Sequence, residues 1–276
     1  MITTTQQSAI HEREGGVWSY VSPSRLNLWM KCPLSFKLRY IDRIRTPTSS
    51  ALFLGKMVHS GLELFYRNRQ VGITLPVEEV VERNGSTWET STEEEGMKFA
   101  SLVEETKLRE QLGNLLRVYL EQVDDEPPPV AVEAALKANL IDPDTGEDLG
   151  IPLLGVVDLI QPAEDGNCIV DFKTSARSSP PLEVSHEIQL SCYSWLYRQL
   201  TGEHESALQL RSLVKTKTPK VVCHEYGPRT DRHYRRLFSV IREYFDALDQ
   251  GKFNYRPGWG CSMCDHRESH CAAWAG

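Results

Sequence analysis

Two apolar runs, LLGVVDLIQ at 153–161 and IVDFKT at 169–174, each carry charge where a strand would be buried. Ile169, Val170 and Phe172 have the β-branched or aromatic character of strand residues, and Gly166–Asn167 supply a turn just before them. The intervening AEDGN predicts a hairpin that sets Asp158 beside Asp171. Side chains alternate along a strand, so Asp171 and Lys173 share one face, roughly 7 Å apart. Burying any of these charges unpaired is expensive, so the group needs a partner, water or a metal. Two carboxylates and a lysine at a strand edge suggest a site.

The triple proline at 127–129 marks a boundary. Before it the pattern is helical. Ser22 caps a helix with Pro23 at its first position, Pro33 restarts it, and 51–69 carries an apolar stripe through Leu54, Val58, Leu62 and Phe65. Residues 77–83 and about 94–122 also read as helices, separated by a polar loop, NGSTWETS. Beyond the prolines, strands are expected at 130–140, 152–161, 167–174, 207–215 and 220–226, with helices at 185–200 and 230–249. The expectation is an α/β chain: a mixed central sheet flanked by helices, with a helical N-terminal portion and a C-terminal cysteine tail. Its division is a disordered lead-in over 1–18 and one domain over 19–276. That domain comprises a helical portion (19–126), an α/β core (130–250) and the tail (251–276).

A net charge of −7 and a pI near 5.7 argue against a general polyanion binder. Basic residues nevertheless gather at 37–45, in KTKTPK at 215–220 and in RTDRHYRR at 229–236, so a positive groove on an acidic molecule is compatible with the total. No apolar run approaches the ~20 residues that span a bilayer. The first sixteen residues lack the basic start and apolar stretch of a secretory signal. The expected location is the cytoplasm.

The seven cysteines divide into two kinds. Cys168, Cys192 and Cys223 stand alone in strand- or helix-like segments and read as small buried hydrophobes. Cys261, Cys264 and Cys271 form a C-x2-C-x6-C cluster of the metal-binding kind, and Cys32, 229 residues before Cys261, is the best remaining fourth thiolate. Four thiolates suit an iron–sulfur cluster or a structural zinc. His266 or His270 gives zinc another route, and spacing alone does not choose.

Two carboxylates bind a hard cation such as Mg²⁺ or Mn²⁺, and a nearby lysine stabilises charge on a phosphoryl group, so Asp158, Asp171 and Lys173 suit phosphodiester hydrolysis. D-x-K alone is more often a solvated salt bridge. Its company adds more: GVVDLI, IVDFKT and QLSCYSW, preceded by Gly55-x3-His59, resemble the ordered motifs of the PD-(D/E)xK nuclease superfamily, specifically its RecB-type branch. The resemblance runs from about Ser22 to Cys271 and implies a restriction-endonuclease-like core. It implies His59, Asp158, Asp171 and the Phe172 carbonyl as ligands of Mg²⁺ or Mn²⁺, with Lys173 as the catalytic lysine. Gln189 and Tyr193 fit the branch's Q-x3-Y motif beside the DNA, and Lys215 and Lys217 join them as expected DNA contacts. Glu133 stands where many members carry a strand glutamate.

A subgroup that includes AddB-like and CRISPR-adaptation nucleases holds a 4Fe–4S cluster on one N-terminal cysteine and a C-terminal triplet. Cys32, Cys261, Cys264 and Cys271 match that plan, with six residues rather than five before Cys271. The implied activity is a metal-dependent DNA nuclease, an exonuclease working from DNA ends in recombination, repair or CRISPR adaptation. Its implied partners are DNA with a free end and a protein of one of those pathways. From another class, the alternative is an iron–sulfur DNA-binding or assembly module with weak or no nuclease activity. No G-x4-G-K-S/T loop occurs, so no helicase portion is expected.

Overall fold

Past the triple proline the chain enters three successive antiparallel strands. They are β1 (Ala131–Ile141), β2 (Asp148–Ala163) and β3 (Gly166–Ser175) of a computed structural model that describes residues 15–176 and 183–271. The two aspartate-bearing runs pair as β2 and β3, with Leu159 opposite Val170 and Ile160 opposite Ile169. Gly166, at φ 126°, closes the turn in a conformation that side chains disfavour. Strand β4 (Ala207–Val214) then lies parallel to β3, placing Leu210 opposite Asp171 and Ser212 opposite Lys173. The edge strand β5 (Lys220–Tyr226) returns antiparallel, giving the order β1-β2-β3-β4-β5. This mixed sheet flanked by helices is the α/β architecture of a restriction-endonuclease-like fold.

Eight helices among the described residues frame it. They are α1 (Pro23–Lys31), α2 (Pro33–Phe36, continued by a π-turn over Lys37–Ile41), α3 (Ser50–Gln70) and α4 (Val77–Ser86). After them come α5 (Trp88–Glu94), α6 (Leu102–Leu120), α7 (Glu183–Thr201) and α8 (Asp231–Asp249). The α1 start is as its sequence predicts: the Ser22 hydroxyl accepts from Arg25 N, and Pro23 needs no partner for the N–H it lacks. Two helical expectations need correction. NGSTWETS is not a loop: only Thr87 separates α4 from α5, because Trp88 is buried and anchors the stretch. The expected helix at 94–122 is broken at Gly96 (φ 57°) and restarts where Ser101 caps α6.

Of the expected lead-in, residues 1–14 lie outside the described residues. Gly16–Trp18 is not disordered but forms a 3-10 turn, with Trp18 5.8 Å from the Phe245 ring. Cys223 is exposed on β5, not a buried hydrophobe, because β5 is the sheet edge. No helix among the described residues is long and apolar enough to cross a membrane.

Among the described residues, three apolar clusters hold these layers together. Phe53, Val58, Leu62, Trp88, Leu115 and Leu116 of the α3–α6 group pack on one sheet face against Leu159, Val170 and Phe172. On the other face, Leu190, Tyr193 and Tyr197 of α7 meet Val157, Ile169 and Leu208. A third cluster joins α1, α2, α7 and α8 to the far ends of β1 and β2 through Leu26, Trp29, Phe36, Trp195 and Tyr244.

Beneath Phe172 lies one buried charge. Arg211 donates to Tyr119 Oη (2.9 Å) and Tyr66 Oη (3.3 Å) and pairs with Glu126 (2.8 Å), while Gln161 also donates to Glu126 (2.8 Å). Removing one member strands the others away from water. Arg211→Met is therefore expected to destabilise the fold by roughly 3–5 kcal/mol, read as a lowered urea midpoint; an unchanged midpoint would show the network to be energetically idle.

Candidate active site

The face of β3 that carries Ile169 also carries Asp171 and Lys173, and α7 covers it. Alternation alone puts both polar side chains there. Lys173 Nζ forms an ion pair with the buried Asp171 Oδ2 at 2.6 Å. Gln189 bridges the two: its Nε2 donates to Asp171 Oδ1 at 2.8 Å, and its Oε1 accepts from Lys173 Nζ at 3.1 Å. Tyr193, one turn further along α7, accepts from the same Nε2 at 2.9 Å. Burial raises the Asp171 carboxyl above the ordinary carboxylate range, an effect that Asp158 strengthens and Lys173 opposes. His186, a turn before Gln189, is held below the usual histidine value by burial and by the Lys173 ammonium. Nothing in the motif pattern singles it out.

A second group forms where α3 crosses the strands. Ligand atoms of His59, Glu133 and Asp158 all lie within 4.8 Å of one another. His59 Nδ1 is 3.5 Å from Asp158 Oδ1 and 3.8 Å from Glu133 Oε1. The other Asp158 oxygen is fixed by the Phe172 backbone N–H at 2.6 Å, which locks the carboxylate across the β2–β3 pair. Burial alone would push the imidazole down; Asp158 and Glu133 more than offset that and carry it up to about 10. A cluster that draws a proton onto its histidine is one that attracts cations.

Glu133 reaches this group by a departure from strand geometry. Its φ is 46°, and the β1–β2 register skips it, running from Val132–Leu159 to Ala134–Val157. The sequence alone gives Glu133 no role, because its membership depends on a backbone conformation that composition does not announce. Imidazole nitrogen and carboxylate oxygens are donors of the type that Mn²⁺ and Mg²⁺ accept, so the residues present fit such an ion.

Gly55 explains why the α3 motif begins with glycine. A Cβ there would sit 3.2 Å from Thr174 Oγ1, so the helix approaches β3 closely one turn before His59. Gly55→Val should wedge α3 outward, lowering turnover about tenfold or more with a stability loss of about 1–3 kcal/mol. Steady-state cleavage measured beside a urea titration checks both, and full activity would sever the glycine from the site.

Of the expected DNA contacts, Lys215 is half-buried and its N–H donates to Ser175 O (2.8 Å), at the same strand ends as Lys173; Lys217 is exposed in the hairpin beyond. Burial pushes the Lys215 amine down. Far along the chain but together in space, Cys32, Cys261, Cys264 and Cys271 line one cavity of about 170 Å³ with Leu34 and His266. His266 is buried, and its Nδ1 has no hydrogen-bond partner among the described residues.

Comparison with known proteins agrees with this picture. The sequence model of the PD-(D/E)XK nuclease superfamily matches residues 20–271. No curated protein matches the chain. Among solved structures, a protein from Eubacterium rectale described as a putative exonuclease superposes with a TM-score of 0.56 at 15% identity, over 96% of this chain and 93% of that one. SSO0001 superposes with a TM-score of 0.47 at 13% identity, over 96% of each.

Proposed function

The chain belongs to the PD-(D/E)XK nuclease superfamily, and from that premise we propose a divalent-metal-dependent deoxyribonuclease that hydrolyses phosphodiester bonds from DNA ends. The observation that carries the reading is the adjacency of two groups: His59, Glu133 and Asp158 as cation ligands, and the Asp171–Lys173–Gln189 chain beside them. Asp171 extends the ligand set in this reading, since its buried carboxylate stands near that of Asp158. When bound, Mg²⁺ or Mn²⁺ supplies Lewis-acid polarisation of the phosphate and lowers the pKa of a coordinated water.

The protein's own groups do the rest. The Phe172 N–H keeps Asp158 aimed, and Gln189 holds Lys173 and Asp171 in one orientation. Lys173, the only one of these three that carries a positive charge, neutralises charge that grows on the phosphoryl oxygens. Lys215 and Lys217 guide the strand by its phosphates. Preference for ends follows the description of the similarly folded Eubacterium rectale protein as a putative exonuclease. Cys32, Cys261, Cys264 and Cys271 hold a 4Fe–4S cluster in this reading, supported by their meeting in one cavity and by thiolate's suitability for such clusters. Recombination, repair or CRISPR adaptation is the setting proposed, with a protein of that pathway as partner.

The test is a linear DNA labelled at one end, incubated beside a covalently closed circle with Mg²⁺, Mn²⁺ or EDTA. Metal-dependent loss of label from the linear form, with the circle intact, is the expected result. Cutting of the circle would overturn the requirement for an end, and equal turnover in EDTA would overturn the metal.

A further inference from the structure

Two histidines stand between Cys264 and Cys271, and the fold treats them differently. The backbone carbonyl of His266 accepts from His270 N at 3.0 Å and from Cys271 N at 2.8 Å. The turn that delivers Cys271 to its cavity therefore also fixes His266. His270 is exposed, and its Nδ1 is hydrogen-bonded to the Ser269 hydroxyl at 2.7 Å. His266 is 5% exposed and lines the cavity of the four cysteines. Its Nδ1 is buried with no hydrogen-bond partner among the described residues. A buried ring nitrogen left unpaired is costly, so it marks a place where a further polar group is met.

The rest of the lining narrows what that group is. Leu28, Leu34 and Leu38 give the cavity an apolar wall from α1, α2 and the π-turn. Lys31, Arg39 and Arg267 line it against a single acid, Asp265, so its charged rim is basic. Gly260 lets the tail close on Lys31, since a Cβ there would sit 2.9 Å from Lys31 Cε. Apolar walls with a basic rim suit a cofactor whose sulfurs carry negative charge. Four thiolates already supply one ligand to each iron of a 4Fe–4S cluster, which leaves the imidazole to meet sulfur and not iron.

We propose that His266 donates a hydrogen bond from Nδ1 to a sulfur of the cluster held by Cys32, Cys261, Cys264 and Cys271, and so sets its reduction potential. This deepens the cluster reading and rests on it. The bond fixes the tautomer with its hydrogen on Nδ1. It draws negative charge off the sulfur and favours the reduced state, which gains an electron. The test uses the full chain purified without oxygen, with His266→Phe, which keeps a ring and removes the donor, and His266→Asn, whose amide nitrogen takes the place of Nδ1. All three should carry the same iron and labile sulfide. In a dithionite titration followed by electron paramagnetic resonance, His266→Phe should be reduced at a lower potential than wild type, and His266→Asn should recover most of the shift. Wild type grown with ¹⁵N-histidine needs no variant: its reduced cluster should show a weak nitrogen coupling. Equal potentials in wild type and His266→Phe, or no nitrogen coupling, overturn the donor and leave the cluster. A strong coupling, with iron lost from both variants, makes His266 a ligand and overturns the donor as well. Zinc without iron in wild type overturns the cluster reading and this inference together.

Discussion

Lys173→Ala is expected to cut DNA hydrolysis by about 10²–10³-fold while the fold survives. The ammonium is held on two sides, by Asp171 at 2.6 Å and Gln189 at 3.1 Å, so it is pre-oriented before substrate arrives. Its side chain is 31% exposed, and truncating it opens no core cavity. The variant does leave Asp171 without its counter-charge. That carboxyl is already raised by burial, so losing the ammonium raises it further and it takes up a proton instead of unfolding the strand. Thermal unfolding should move little, while single-turnover cleavage collapses. Lys173→Arg keeps the charge on a wider, planar group that does not match the Gln189 geometry, and it should recover only part of the rate. Cleavage by Lys173→Ala at the wild-type rate would remove this residue from the chemistry and return the D-x-K pair to a simple salt bridge.

The second large effect concerns the chain ends. Cys32→Ser or Cys264→Ser, purified without oxygen, should lose bound iron and the visible absorption of a 4Fe–4S cluster. Unfolding should occur on the order of 10 °C lower. The physical reason is reach: the four thiols span from α2's cap to the last described residue, and the cofactor proposed for them would close a loop of more than two hundred residues. Opening so long a loop releases chain entropy in the unfolded state. Metal analysis of wild type reads the identity directly: iron with labile sulfide supports the cluster, and stoichiometric zinc without iron replaces it. Serine variants with unchanged metal content and unfolding temperature would leave the cavity a coincidence of packing.

Much of this arrangement was legible before any coordinates. Asp158, Asp171 and Lys173 stand out because a charge inside an apolar strand run is costly enough to need a reason, and the AEDGN turn fixes which of them meet. The helix over 51–69 and the strands beyond the prolines follow from periodicity. Other features were not legible, for identifiable causes. α5 hides in NGSTWETS because one buried tryptophan, not a stripe, holds it down. The break at Gly96 lies inside a run whose composition continues to favour helix. Glu133 joins His59 and Asp158 only through its φ, and His186 approaches Lys173 only once α7 is docked. The bridge between Val21 and Leu153, which ties the start of α1 to β2, is tertiary, and no local pattern encodes it.

Glu133 also sets a limit on how the chain can be improved. A left-handed backbone at a residue with a Cβ costs roughly 1–2 kcal/mol, which glycine would relieve. A search for thermostable sequences guided by the backbone alone would therefore choose glycine at 133, and it would be rewarded with a tougher protein. The same change deletes a carboxylate from beside His59. Robustness and the proposed metal group pull this one position in opposite directions, and the sequence keeps the carboxylate.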